Sequence, residues 1–169
     1  MRGQTKVVLC RRQRENVLLV GDYNEARFGL LVSLLTSFML KDSPMQGVFY
    51  LIDRTVPGAP WDRALLEAHA QLLDSVGYEA HFAARRKEAG LSIAGVSALL
   101  HDRLAVDEED RDSFKDVFLV MADPDKLEAL CQVPNKYGNL EDSELGKQLQ
   151  QIFVKGPAVG IYTFWLLRV

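Results

Sequence analysis

Apolar positions in this chain fall into short continuous runs, separated by longer stretches in which apolar residues recur every three to four positions. The runs predict strands over residues 6–10 (KVVLC, an edge strand), 17–20 (VLLV), 47–53 (GVFYLID), 78–83, 116–122 (DVFLVMA) and 159–169 (VGIYTFWLLRV). The spaced stretches predict helices from Asn24 or Glu25 to Lys41, then over 61–76, 89–106, 125–132 and 143–155. VLLV is apolar on both faces, the pattern of a central parallel strand. In the helix after it, Leu30, Leu31, Leu34, Leu35 and Phe38 recur at helical spacing as a core stripe, with Leu30, Leu34 and Phe38 inward. Two prolines and a glycine make 56–60 a loop, and 133–142 reads as a polar, mobile loop.

Strands that alternate with helices imply an α/β domain of three layers, a mostly parallel sheet with helices on both faces. Ligands of such sheets bind at the carboxyl ends of the strands. In this chain that edge carries 21–28, Asp53, Asp123 and the end of the last strand.

Composition narrows the picture. With 169 residues, 48% of them hydrophobic and 25% charged, the chain has enough apolar material for one sizeable core, so a single domain over 1–169 is expected. The net charge of −3 supplies no overall field for nucleic acid or a membrane surface. Two basic clusters, Arg11, Arg12, Arg14 and Arg85, Arg86, Lys87, read as solvated surface. Cys10 and Cys131 lack the spacing of a zinc or redox site, which fits a reducing, cytoplasmic setting. The longest apolar segment, 29–40, is broken by Ser33, Thr36 and Ser37 and is too short to span a bilayer.

The candidate chemistry lies at the junction of 17–20 with the long helix, where helix N–H groups commonly hold a phosphate. A P-loop there needs G-x-x-x-x-G-K-[ST], with glycines to turn N–H groups inward, lysine for the outer phosphates and a hydroxyl for magnesium. The chain offers Gly21, Asp22, Tyr23, Asn24, Glu25, Ala26, Arg27 and Phe28. Only the first glycine matches. Arg27 keeps the charge of the lysine, Phe28 cannot ligate a metal, and Asp22 and Glu25 repel a triphosphate. Hydrolysis also needs an acidic pair at the end of a neighbouring strand. Here that position holds Ala122 and Asp123, leaving one candidate catalytic carboxylate; a helix-capping role for Asp123 and Asp125 competes with it. His69, His81 and His101 fall on different elements without metal or triad spacing.

Four segments together resemble the motor domain of the FtsK/SpoIIIE DNA translocases, RecA-like P-loop ATPases. NVLLVGDYNEARFGLLVSLLTSFMLK is similar to that family's strand, Walker A loop and following helix, FYLID to its next strand, and DVFLVMADPDKL to its Walker B strand. IFVKGPAVGIYTFWLL resembles the approach to its sensor strand, typically GxAxGIH. The likeness runs over about residues 5–169 and rests on the order and spacing of these segments. It implies that Gly21 to Phe28 occupy the Walker A position, Ala122 and Asp123 the Walker B pair, and Leu167 and Arg168 the sensor pair. ATP with magnesium is the cofactor the family implies, and other FtsK-like motor domains, with DNA through the parent assembly, are the implied partners. Each of Arg27, Phe28, Ala122 and Leu167 departs from the functional residue expected there. The expectation is a degenerate, non-hydrolysing structural or regulatory module of a longer polypeptide, in a DNA-translocating or secretion ATPase. Two alternatives stand beside it: an active translocase domain using Arg27 and Asp123 in unorthodox roles, and a generic α/β interaction domain.

Overall fold

Five of the apolar runs come together in one sheet. A computed structural model describes residues 9–41, 47–55, 64–123, 131–134 and 136–167. In chain order the elements are β1 (Val17–Val20), α1 (Asn24–Lys41), β2 (Gly47–Asp53), α2 (Ala64–Ser75), β3 (Glu79–Ala83), α3 (Arg86–Leu104), β4 (Asp116–Ala122), β5 (Gln132–Pro134), β6 (Leu140–Asp142), α4 (Glu144–Lys155) and β7 (Ile161–Leu167). The main sheet runs β1-β7-β4-β2-β3 and every pairing in it is parallel. The fold is α/β, with helices on both faces of a parallel sheet.

Residue alternation divides the core in two. Phe49, Leu51, Phe118, Val120, Phe164 and Leu166 point to the layer that holds Leu31 and Leu35 of α1 and Leu66 and Leu73 of α2. Their neighbours Val48, Ile52, Val117, Leu119, Met121 and Ile161 point to the layer that holds Ile93, Val96 and Leu100 of α3 and Ile152 of α4. Aromatic rings thicken the first layer: Phe118 stacks on Phe38 at 4.7 Å and on Phe49 at 4.8 Å between centroids.

The N-terminal side of this scaffold departs from its sequence pattern. β1 is not a central strand; it is an edge strand among the described residues, with Leu18 and Val20 58% and 53% exposed. The last strand lies inside the sheet, pairing with β1 on one side and with the central β4 on the other. Of the expected strand over 6–10, residues 6–8 lie outside the described residues, and Leu9 and Cys10 are not in a strand. In α1 the expected stripe holds for Leu31 and Leu35, which are fully buried, and for Leu34 and Phe38, which pack on the core; Arg27 and Phe28 join it, whereas Leu30 points outward at 60% exposure. Starting the helix at Asn24 puts 27, 28, 31 and 35 on one side at helical spacing, and position 30 falls off that side.

Further along, α2 and α3 begin and end within a few residues of expectation, and the acidic stretch after α3 forms a 3-10 helix, Glu108–Ser113. The expected mobile loop over 133–142 is a small antiparallel hairpin, β5 with β6. The short helix over 125–132 lies almost wholly outside the described residues. Ser143 caps α4, its side chain accepting from the Gly146 amide at 3.1 Å.

The amino edge of the sheet is tied by arginines. The Arg11 guanidinium donates to the Arg111 and Phe114 carbonyls and to Asp116 Oδ1, so Arg11 is part of the structure rather than solvated surface. Arg103 donates to the Val159 carbonyl at 2.8 Å and to the Lys115 carbonyl at 2.7 Å, with the Phe114 ring 5.1 Å from its guanidinium carbon. These contacts converge on Gly160, whose φ of +73° and missing side chain let Asp116 and Arg11 approach; a Cβ there would lie 2.7 Å from Asp116 Oδ1.

The outward placement of Leu30 makes a direct prediction. Leu31→Ala is expected to cost about 2–5 kcal/mol in urea denaturation, and Leu30→Ala less than about 0.5 kcal/mol. Equal losses at both positions would contradict the placement of the helix.

Candidate functional site

Every strand of the main sheet ends toward the same edge, and the ladder closes tightly there. The Gly21 amide donates to the Leu167 carbonyl at 3.2 Å, the Asp123 amide to the Leu166 carbonyl at 3.1 Å, and the Arg54 amide to the Ala122 carbonyl at 3.0 Å. Connections leave this edge in opposite directions: β1 and β2 lead into α1 and α2 on one face, while α3 and α4 cover the other. Parallel sheets place their ligand crevices where such connections diverge.

Only Gly21, Asp22 and Tyr23 separate β1 from α1. Asn24 to Phe28, which a phosphate loop would need as open loop and helix start, already form the first turns of the helix, and the Arg27 amide donates to the Tyr23 carbonyl at 3.1 Å. Gly21 is not in the left-handed region, and a Cβ on it would meet only Arg27 Cγ, at an ordinary 3.8 Å. Neither feature of a phosphate-cradling glycine, positive φ or crowding, is present at this residue.

The side chains of the stretch divide sharply. Asp22, Tyr23, Glu25 and Ala26 are exposed. Phe28 is 2% exposed and packs in the α1 layer of the core, so it does not line the mouth of the junction as a metal-ligating hydroxyl would. Arg27 is buried and runs along the sheet edge to Asp123, with Nη1 3.6 Å from Oδ1 and side-chain exposures of 4% and 19%. The separation is an ion-pair contact rather than a hydrogen bond. The two charged residues of the candidate site thus face each other. Asp123 adopts φ +49°, a left-handed conformation that aspartate tolerates better than most residues.

The other expected members of the edge have local roles. Asp53 is fully buried, and its Oδ1 accepts from the Thr55 amide at 2.9 Å and the Thr55 hydroxyl at 2.6 Å, a side-chain turn that fixes the exit from β2. Arg54 then donates to the Ala84 carbonyl at 2.6 Å, linking the ends of β2 and β3. Ala122 is buried at the end of β4 and Leu167 closes β7; Arg168 and Asp125 lie outside the described residues. Among the described residues no group of three or more His, Cys, Asp or Glu stands close enough to hold a metal ion. No helix among them is long and apolar enough to cross a membrane.

Sequence reasoning missed one polar cluster at the amino end of β1, the end away from the junction. Asn16 accepts through Oδ1 from the Thr163 amide and hydroxyl, at 3.0 and 2.7 Å, and donates through Nδ2 to the Phe153 carbonyl at 2.8 Å. Trp165 Nε1 donates to Thr163 Oγ1 at 3.1 Å. Asn16 thereby fixes the start of β1 to β7 and α4. The available signal was a hydroxyl in an otherwise apolar strand, Thr163, and an amide directly before an apolar run.

The three histidines are not brought together. His81 on β3 stacks on Tyr50 and contacts Glu79 at 3.0 Å, and His101 is exposed on α3. His69 on α2 is 7% exposed; its Nε2 has no hydrogen-bond partner among the described residues, and burial lowers its pKa. No model of a known family and no curated protein matches this chain.

Two predictions follow from these side chains. Asp123→Asn is expected to lower stability by about 1–3 kcal/mol, because a buried guanidinium loses its ion-pair contact, and adding Arg27→Met is expected to recover most of that loss. Urea midpoints of the two variants decide it, and equal midpoints would contradict the pairing. For His69, a folded-state pKa below the unfolded value means that the unfolded chain takes up a proton first as the pH falls. Stability should therefore fall as the pH drops below about 6.5. His69→Leu should flatten that slope in thermal melts between about pH 7 and pH 5.

Proposed function

We propose that this chain is a degenerate FtsK/SpoIIIE-like P-loop domain that does not hydrolyse ATP and serves as a structural or regulatory module of a DNA-translocating or related ATPase assembly. The observation that carries the proposal is the Arg27–Asp123 ion pair. An active motor would direct a basic residue of the first helix at phosphate and an acidic residue of the neighbouring strand at the magnesium shell. Here the residues at those two positions neutralise each other, and an incoming triphosphate would have to break a buried contact before reaching the Arg27 charge. The exposed groups around the junction, Asp22 and Glu25, are acidic and repel it.

The short β1–α1 connection supports the same reading. A P-loop supplies several inward N–H groups from an open loop. Where the helix starts three residues after the strand, its first free amides still point out of the helix end, but Asp22 and Glu25 flank them. The scaffold that supports a motor's site is kept in the form of a parallel sheet covered on both faces, while the groups for phosphate and metal are replaced. On this reading the module contributes packing surface to its assembly, with other motor domains as partners and DNA contacted through them.

Isothermal titration of the protein with Mg-ATP, together with an ATPase assay, tests the proposal. No heat of binding up to about millimolar nucleotide and no turnover are expected; at that limit binding is weaker than about 4 kcal/mol. Micromolar affinity with turnover that Arg27→Ala abolishes would instead establish an active site with unorthodox residues.

A further inference from the structure

β1 forms an edge of the main sheet among the described strands. On the side of the sheet that α4 covers, its side chains Leu18 and Val20 are 58% and 53% exposed. In register they stand beside Trp165 and Leu167 of β7, and Trp165 meets Phe153 of α4 edge-on at 5.9 Å. Apolar surface therefore continues from β1 across β7 onto α4, where Phe153 is itself 39% exposed. Edge strands that must stay single are usually blunted by an inward charge or a proline, and Val17–Val20 has neither. The exposed charges at its two ends are opposite in sign: Arg12 and Arg14 before it, and Asp22 and Glu25 after it; Glu15, also before it, is half-buried and accepts from the Cys10 amide.

We propose that β1 pairs antiparallel with β1 of a second copy of this chain, joining two five-stranded sheets into one. A two-fold axis normal to the sheet keeps the faces of the copies aligned. Because alternate residues point to the same face, the register that sets Leu18 opposite Val20 of the second copy merges the two apolar patches. The antiparallel direction brings Arg12 and Arg14 of each copy toward Asp22 and Glu25 of the other, whereas parallel pairing would set like charges side by side. The charge pattern thus selects one direction and the side-chain alternation restricts the register. Such an interface is self-complementary and closes at two copies. Main-chain hydrogen bonds supply affinity and the Leu18 and Val20 contacts supply specificity, as in other cases of strand addition. The proposal goes beyond the module reading and holds whether or not nucleotide binds.

Sedimentation velocity of the nucleotide-free protein over a concentration series tests it. A species of twice the 19.0 kDa chain mass is expected, dissociating on dilution and more readily at higher salt. The double variant Leu18→Thr/Val20→Thr places β-branched residues, which favour strands, at both positions and is expected to weaken the dimer at least tenfold with unchanged circular dichroism. Arg12→Glu/Arg14→Glu and Asp22→Lys/Glu25→Lys are each expected to be monomeric alone and to form a mixed dimer when combined. These charge-swapped chains alter exposed positions only, so they decide the matter even if the threonine variant fails to fold. A protein that stays monomeric at every concentration would overturn the proposal. So would a dimer insensitive to the Leu18 and Val20 changes, or charge-swapped chains that do not recombine.

Discussion

The structure depends on β7 entering the sheet between β1 and β4. Two parallel ladders hold it there, Val17 to Val20 on one side and Val117 to Ala122 on the other. Without that insertion β1 has no pairing partner among the described strands, and α1 loses the floor formed by Tyr162, Phe164 and Leu166. The approach to β7 is built for the placement. Gly160 turns the chain through a left-handed residue in a space that no side chain can share, and Asn16 hydrogen-bonds to Thr163 inside the strand. Parallel strands gain such partners only after long crossovers, so the first strand of the sheet waits for the last segment of chain to secure it.

The same insertion creates the candidate site. By setting β7 between β1 and β4, it brings the end of β4 within reach of the first turns of α1, and Arg27 meets Asp123 across the end of the intervening strand. A long side chain is needed for this, and arginine keeps its charge when buried. Under the proposed reading, an ancestral arrangement for phosphate and metal has become an internal contact that holds the first helix to the sheet. Asp53 is engaged by Thr55, and Ala122 offers no ligand.

Much of the fold was legible in the sequence because buried parallel strands read as unbroken apolar runs; β2 and β4 match their expected bounds residue for residue. β1 misled for the same reason. VLLV is apolar on both faces although one face is half open, and an apolar pattern cannot tell a covered face from an exposed one. The hairpin of β5 and β6 was illegible because its strands are three residues each and mostly exposed, too short for alternation to register. The site was legible by position and not by contact: the stretch 21–28 and Asp123 were marked out, but that Arg27 lies buried against Asp123, and Phe28 in the core, depends on where α1 starts and which strand lies between. Arg11 was misread as solvated because its partners, the Arg111 and Phe114 carbonyls and Asp116, are about a hundred residues away.

Hydrogen–deuterium exchange of the protein with and without millimolar Mg-ATP, followed over peptides that contain Gly21 to Phe28 and Ala122 to Asp123, reaches the central claim most directly. The account predicts identical exchange in both conditions, because the Arg27–Asp123 pair already fills the role that nucleotide would take. Protection of both peptides by Mg-ATP would contradict it.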